Sequence, residues 1–129
     1  MFIRNMTTDD FDELVEILLL EGISTMTYIT PKNTFVFQSE NGDILGFFSI
    51  RIENSMPTLW HFVVKKEMRT MEITRMLIKS LKLFVRNMGF PMFIVAVKKD
   101  RLKRFVKYFA KNRKQYAETE GVSFYLVEV

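Results

Sequence analysis

Residues 59–89, LWHFVV-KKEMR-TMEITRMLIKSLKLFVRNMG, decide the fold. Leu59 to Val64 is a short apolar run with the β-branched and aromatic content of a buried strand. Lys65-Lys66-Glu67-Met68-Arg69 is a charged connection. Beyond Thr70, apolar residues recur at Ile73, Met76, Leu77, Leu81, Phe84, Val85 and Met88, the spacing of an amphipathic helix. Arg75, Lys79, Lys82, Arg86 and Asn87 take the opposite side, and Gly89-Phe90-Pro91 ends the helix. A strand that leads through a basic loop into a helix N-terminus makes a natural anion site, because the first amides of a helix have no partner within it.

On the N-terminal side, Phe2-Ile3-Arg4 reads as a brief strand. Thr7-Thr8-Asp9-Asp10 supplies capping hydroxyls and first-turn acids for a helix to about Glu21, with a stripe of Phe11, Leu14, Val15 and Leu18. Gly22 stops it. Thr34 to Gln38 is a strand, Glu40-Asn41-Gly42-Asp43 is a hairpin signal, and Ile44 to Glu53 is the returning strand. On the C-terminal side, Met92 to Val97 is an uninterrupted apolar run, as in a strand covered on both faces. Asp100 can cap a helix striped by Leu102, Phe105, Val106, Phe109 and Ala110. Strands near Tyr116 to Glu118 and at Val122 to Glu128 close the chain. The expectation is one α/β (α+β) domain over residues 1–129, with a mixed, mostly antiparallel sheet of six or seven strands and three to four helices.

Composition narrows the function classes. A chain of 129 residues buries a core without staples, and 13 Phe with 9 Met make that core aromatic and soft. There is no cysteine, which excludes disulfides and thiolate chemistry, and a single histidine argues against a zinc enzyme, so no metal is expected. No stretch is long and apolar enough to span a bilayer and the N-terminus lacks a signal-peptide pattern, so a cytoplasmic protein without membrane contact is expected. The net charge of +4 permits an anionic partner without demanding one.

The element order, together with Ile3-Arg4 and Thr7 to Asp10, the Asn41-Gly42-Asp43-Ile44-Leu45-Gly46-Phe47 hairpin, and Leu59 to Val64 with Arg69 and the long helix, resembles the GNAT family of acyl-CoA-dependent N-acyltransferases. The resemblance covers essentially the whole chain. It implies that the pantetheine arm of the cofactor lies between the fourth and fifth strands, and that its pyrophosphate rests on the loop entering the long helix. The implied cofactor-binding residues are Val64, Arg69, Thr70, Met71, Glu72, Ile73 and Thr74. The family loop reads Gln/Arg-x-x-Gly-x-Gly/Ala; here the arginine is present and both small positions are filled, by Glu72 and Thr74. Glycine belongs there because phosphate oxygens must approach the amides closely. Glu72 adds a charge of the wrong sign. Thr70 as N-cap with an acid in the first turn is also ordinary helix stabilisation.

The resemblance places a carboxylate general base at Trp60, where this chain has none; the neighbouring His61 is the candidate base, since the unperturbed pKa of an imidazole, about 6.5, suits that task. A lone histidine on a buried strand is as readily a hydrogen-bonded core residue. The family's general acid is a tyrosine early in the last helix. Tyr108 is the candidate here, although no register restores the whole pattern around it.

Nine Lys and Arg between Lys98 and Lys114 form a basic face, opposed only by Asp100. It serves either as a solvated helix face or as a surface for an anionic partner. With cofactor and catalytic motifs both eroded, the sequence points to a GNAT-fold protein acting without a cofactor, through a protein partner (itself or a larger assembly). Small proteins of that style are similar to virion and accessory proteins of tailed phages, which would place this one in the host cytoplasm or the virion. The alternative is an acetyl-CoA-dependent N-acetyltransferase acting on an amine of a protein or small molecule.

Overall fold

Period-2 and period-3.6 patterns separate into seven strands and two α-helices among the residues described by the computed structural model, 1–22, 29–101, 108–109, 113–119 and 121–129. In chain order these are β1 (Phe2–Asn5), α1 (Phe11–Leu20), β2 (Thr34–Gln38), β3 (Ile44–Glu53), β4 (Met56–Val64), α2 (Met71–Asn87), β5 (Met92–Lys98), β6 (Arg113–Thr119) and β7 (Val122–Glu128). The strands hydrogen-bond in the order β1-β2-β3-β4-β5-β7-β6. β4 and β5 are parallel, and β1/β2, β2/β3, β5/β7 and β6/β7 are antiparallel. The mixed, mostly antiparallel sheet is the expected one. The helix expected after Asp100 falls mostly on residues 102–107 and 110–112, outside the described residues, as does the segment 23–28 after α1.

The bounds of β4 and β6 and the buried face of α2 differ from the sequence reading. β4 opens at Met56 rather than Leu59 and takes in Pro57 as its second residue; proline is tolerated at a strand's opening, where little pairing is lost. The turn before it is made by Asn54 and Ser55, both at positive φ (53° and 64°), the geometry of a two-residue hairpin. β6 is longer than Tyr116 to Glu118. It ends the strand order, and its Arg113, Lys114 and Glu118 are the charges of an edge strand, which conceal the pattern. The buried arc of α2 is Thr74, Leu77, Ile78, Leu81 and Val85, while Met76 and Met88 are 42% and 41% exposed. The stripe is therefore rotated towards Thr74 and Ile78, which fall in line with Leu81 and Val85 at alternating i+4 and i+3 spacing.

Contacts divide the chain into two units, Met1–Ile50 with His61–Arg69, and Arg51–Trp60 with Thr70–Val129. In the first, Leu14, Ile17 and Leu18 of α1 form a core with Met6, Ile29, Val36, Ile44, Phe47 and Val63. The other face carries aromatic rings: Phe48 lies 5.3 Å from both Phe35 and Phe37, and Phe62 stands edge-on to Phe37 at 6.0 Å. Each such side chain contributes roughly 1.5–3 kcal/mol on burial. The β2–β3 hairpin closes through Ser39 N–H to Asp43 O (2.8 Å) and Gly42 N–H to Ser39 O (3.0 Å), with Gly42 at φ 90°.

In the second unit, β5 buries Phe93, Ile94, Val95 and Val97, and α2 lies against it. β5 pairs with β7 along its whole length, from Met92↔Glu128 to Lys98↔Val122. With β4 it is in register only at Thr58↔Ile94 and Leu59↔Val95 among the described residues.

Two predictions follow from the first unit. A Cβ on Gly46 would sit 2.3 Å from the Val63 carbonyl oxygen and 3.1 Å from Val64 Cα, both backbone atoms that cannot step aside. Gly46→Ala should therefore destabilise the protein by roughly 1–3 kcal/mol, read as a lower urea midpoint at unchanged slope. The Arg4 guanidinium grips Asp10 with bonds of 2.7 and 2.9 Å, and Asp10 also accepts from Thr7 N–H at 2.7 Å. Hydrogen bonding by Arg4, then the Thr7 amide and the Arg4 charge, hold the Asp10 pKa down at about 2 against the opposing effect of burial. The folded value lies below the unfolded one, so this contribution is complete above about pH 4 and is lost as pH falls towards about 2. Asp10→Asn should flatten that part of the stability–pH curve by lowering its neutral limb, with little change at the acid end.

Candidate functional site

Side chains alternate across β4, so Trp60 and Phe62 face one way and His61 and Val63 the other. Trp60, where the family resemblance calls for a carboxylate, is held by its Nε1–H donating to Glu53 Oε1 (2.6 Å) and by the Phe124 ring edge-on at 5.7 Å. His61 is half-buried on the face that carries Val63 into the α1 core, and its Nδ1 lies 2.8 Å from Ser49 Oγ. Ser49 is fully buried in β3, in register with buried Thr34 of β2, whose Oγ1 accepts from Thr30 N–H at 3.2 Å. Sequence reading missed Ser49. Its signal was a lone hydroxyl in the apolar run Phe47-Phe48-Ser49-Ile50.

Arg69 does not stand open to a ligand. Its guanidinium pairs with the Glu21 carboxylate just past the end of α1 and donates to the Val64 carbonyl, the last of β4, at 3.1 Å. Glu21 was also missed. An acid at a helix C-terminus opposes the helix dipole, so it calls for a cation, and the sequence offered that clue.

At the start of α2, Thr70 is an extended N-cap (φ −107°, ψ 160°) whose Oγ1 accepts from Ile73 N–H at 3.1 Å, and Thr74 N–H bonds the Thr70 carbonyl at 3.0 Å. Position in the first turn leaves the amides of Met71 and Glu72 without an intrahelical acceptor. The two residues that replace the family's small ones differ in placement. Thr74 is 4% exposed on the inner side of the helix, and its Oγ1 has no hydrogen-bond partner among the described residues. Glu72 lies in solvent, as does Met71. The first turn thus has two amides without an intrahelical acceptor, and an exposed carboxylate, Glu72, belongs to the same turn.

Tyr108 is half-buried beside buried Phe109, in the other unit from His61; the residues flanking this pair, with most of the basic face, lie outside the described residues. An open polar cleft of about 240 Å³ in the first unit is lined by Arg4, Lys65 and the carboxylates of Asp9, Asp10, Glu13 and Asp43, and holds none of the predicted residues. Among the described residues no cluster of three His, Cys, Asp or Glu is placed to hold a metal, and no helix is long and apolar enough to cross a membrane.

The parallel β4/β5 pair, the helix between them and the antiparallel strands on either side are the fold of the GNAT acetyltransferases. A GNAT-family acetyltransferase from Listeria monocytogenes superposes with a TM-score of 0.71 at 16% identity, covering 99% of this chain and 94% of that one. The PaiA N-acetyltransferase of Thermoplasma acidophilum, crystallised with coenzyme A, gives 0.72 at 14% identity over 99% and 98% of the two chains. Chaetomium thermophilum Naa20, crystallised with a bisubstrate analogue, gives 0.68 at 14% identity over 99% and 86%. No family model and no curated protein matches the sequence, so the likeness is one of fold.

Breaking the Arg69–Glu21 pair should register in stability. Their side chains are 25% and 12% exposed, so Glu21→Ala strands a largely covered guanidinium. A loss of about 1–2 kcal/mol is expected by urea denaturation, with Glu21→Gln losing less because an acceptor oxygen remains.

Proposed function

We propose that the protein binds acetyl-CoA and transfers the acetyl group to an amine of a protein or small molecule. The observation that carries this reading is the extent of the fold match, which runs over 99% of the chain to N-acetyltransferases, one of them crystallised with coenzyme A. The amides of Met71 and Glu72 are the donors that would hold the pyrophosphate, assisted by the helix dipole. Acetyl-CoA, when bound, supplies the acetyl group as an activated thioester. His61 is the candidate catalytic side chain of β4. Tyr108 remains the candidate acid, carried by its place in the sequence.

A second reading, a GNAT-fold interaction protein that works without a cofactor, is favoured by one feature. The arginine that would reach the pyrophosphate is engaged by Glu21, and Glu72 presents like charge at the helix mouth.

Thermal unfolding with acetyl-CoA separates the two. At about 100 times its Kd a ligand adds ~2.7 kcal/mol, which raises the midpoint of a domain this size by several degrees. Glu72→Gln should tighten binding by roughly tenfold, because it removes a repulsion moderated by solvent. Turnover is read by the coenzyme A thiol released, against no protein background, since the chain has no cysteine. No shift in the midpoint at millimolar acetyl-CoA, in either protein, would leave the interaction reading in its place.

A further inference from the structure

The two α-helices carry opposite charge on their outer sides. α1 has Asp12, Glu13 and Glu16 with no lysine or arginine, whereas α2 has Arg75, Lys79, Lys82 and Arg86 against one acid, Glu72. Like charges three or four residues apart repel along a helix, so neither run is explained by pairing within its own helix. The spacing is the same on both. Asp12, Glu16 and Leu20 recur every four residues along α1, and Arg75, Lys79 and Leu83 do so along α2. Residues so spaced follow one another up one side of a helix. All six are exposed, Leu20 to 76% and Leu83 to 55%. The four charged ones make no ion pair or side-chain hydrogen bond among the described residues.

We infer that copies of this chain associate by laying α1 of one copy along α2 of another, with the two helices running in the same direction. Asp12 then faces Arg75, Glu16 faces Lys79 and Leu20 faces Leu83. The rows keep in step over these two turns because both helices have the same rise. Each copy offers one acidic and one basic row, so the contact joins unlike faces. The leucines decide for a second copy over a polyanion. A phosphate backbone would meet the cations of α2, but it would leave Leu83 in water and give the α1 row no part. The contact is independent of whether the protein binds acetyl-CoA.

Sedimentation of the wild type at about 0.5 mM protein and ~20 mM salt should show association, weakened at least tenfold at ~0.5 M salt, where charge is screened within a few ångströms. Asp12→Lys with Glu16→Lys makes both rows basic, and Arg75→Glu with Lys79→Glu makes both rows acidic. Each double variant alone should associate about 100-fold less tightly, because like charges then face each other. Mixed in equal amounts, the two should recover the loss, since the basic α1 row of one meets the acidic α2 row of the other. Leu20→Ser should weaken the contact roughly tenfold with every charge in place. One readout needs no variant: carbodiimide coupling in a mixture of isotope-labelled and unlabelled wild type should join Glu16 to Lys79 between copies. A wild type that stays monomeric at low salt overturns the inference. So does an associating wild type without that cross-link, or a mixture of folded double variants that stays apart. Loss of association on reversing α2 alone, with reversal of α1 neutral, gives the cations to a different anion and overturns the self-contact.

Discussion

The backbones of β3 and β4 meet at Gly46, where even a methyl group would stand 2.3 Å from the Val63 carbonyl oxygen. Only a residue without Cβ permits that approach. The contact continues in the bond from Lys65 N–H to Leu45 O at 2.8 Å, so the end of β4 is pinned to β3 on both sides of Val64. The Ser49–His61 contact lies further along the same strand pair, and its 2.8 Å separation depends on the spacing set here. Sheet geometry, not the side chains themselves, places the hydroxyl against the ring.

Much of this was legible in the sequence because the signals were local. The β2–β3 hairpin was written in Asn41-Gly42, the start of α2 in Thr70, and the end of α2 in Gly89, which takes φ 95°. The uninterrupted run at Met92 to Val97 became a strand with partners on both sides. What escaped depends on tertiary context. β6 reads as a charged segment because an edge strand keeps its charges, and the buried arc of α2 takes Thr74 in preference to Met76, a choice that helical periodicity cannot make. The site was less legible still. His61 could be named, but its partner Ser49 lies twelve residues away, and only strand pairing brings the two together.

The charged pairs of the first unit show why a motif can be present in sequence and differ in use. Arg4 and Asp10 are six residues apart and reinforce a capping box at Thr7, so that pair is nearly a local feature. Arg69 and Glu21 are 48 residues apart. Sequence presents Arg69 as the one retained element of a phosphate-binding loop, yet its partners are a carboxylate and a strand-end carbonyl. A phosphate would have to compete for the guanidinium with an anion already held within the fold. Glu21, for its part, sits where the dipole of α1 is unfavourable to it and is tolerable there because Arg69 neutralises it.

The two filled positions of the loop carry different weight for the same reason. Glycine in such a loop clears the path of phosphate oxygens to the amides, and a side chain matters only if it points into that path. Thr74 points inward, into the row formed by Ile78, Leu81 and Val85, where it fills space and leaves its hydroxyl without a partner among the described residues. An unsatisfied buried hydroxyl costs about 1–3 kcal/mol, so packing beneath the helix gives that position no evident gain from threonine over alanine. Glu72, about 200° round the helix from Thr74 and in solvent, costs the fold nothing and is favourable to the dipole. The loss of the small residues is therefore two separate events, one in the core and one at the mouth. Only the one at the mouth bears on whether an anion can reach the helix.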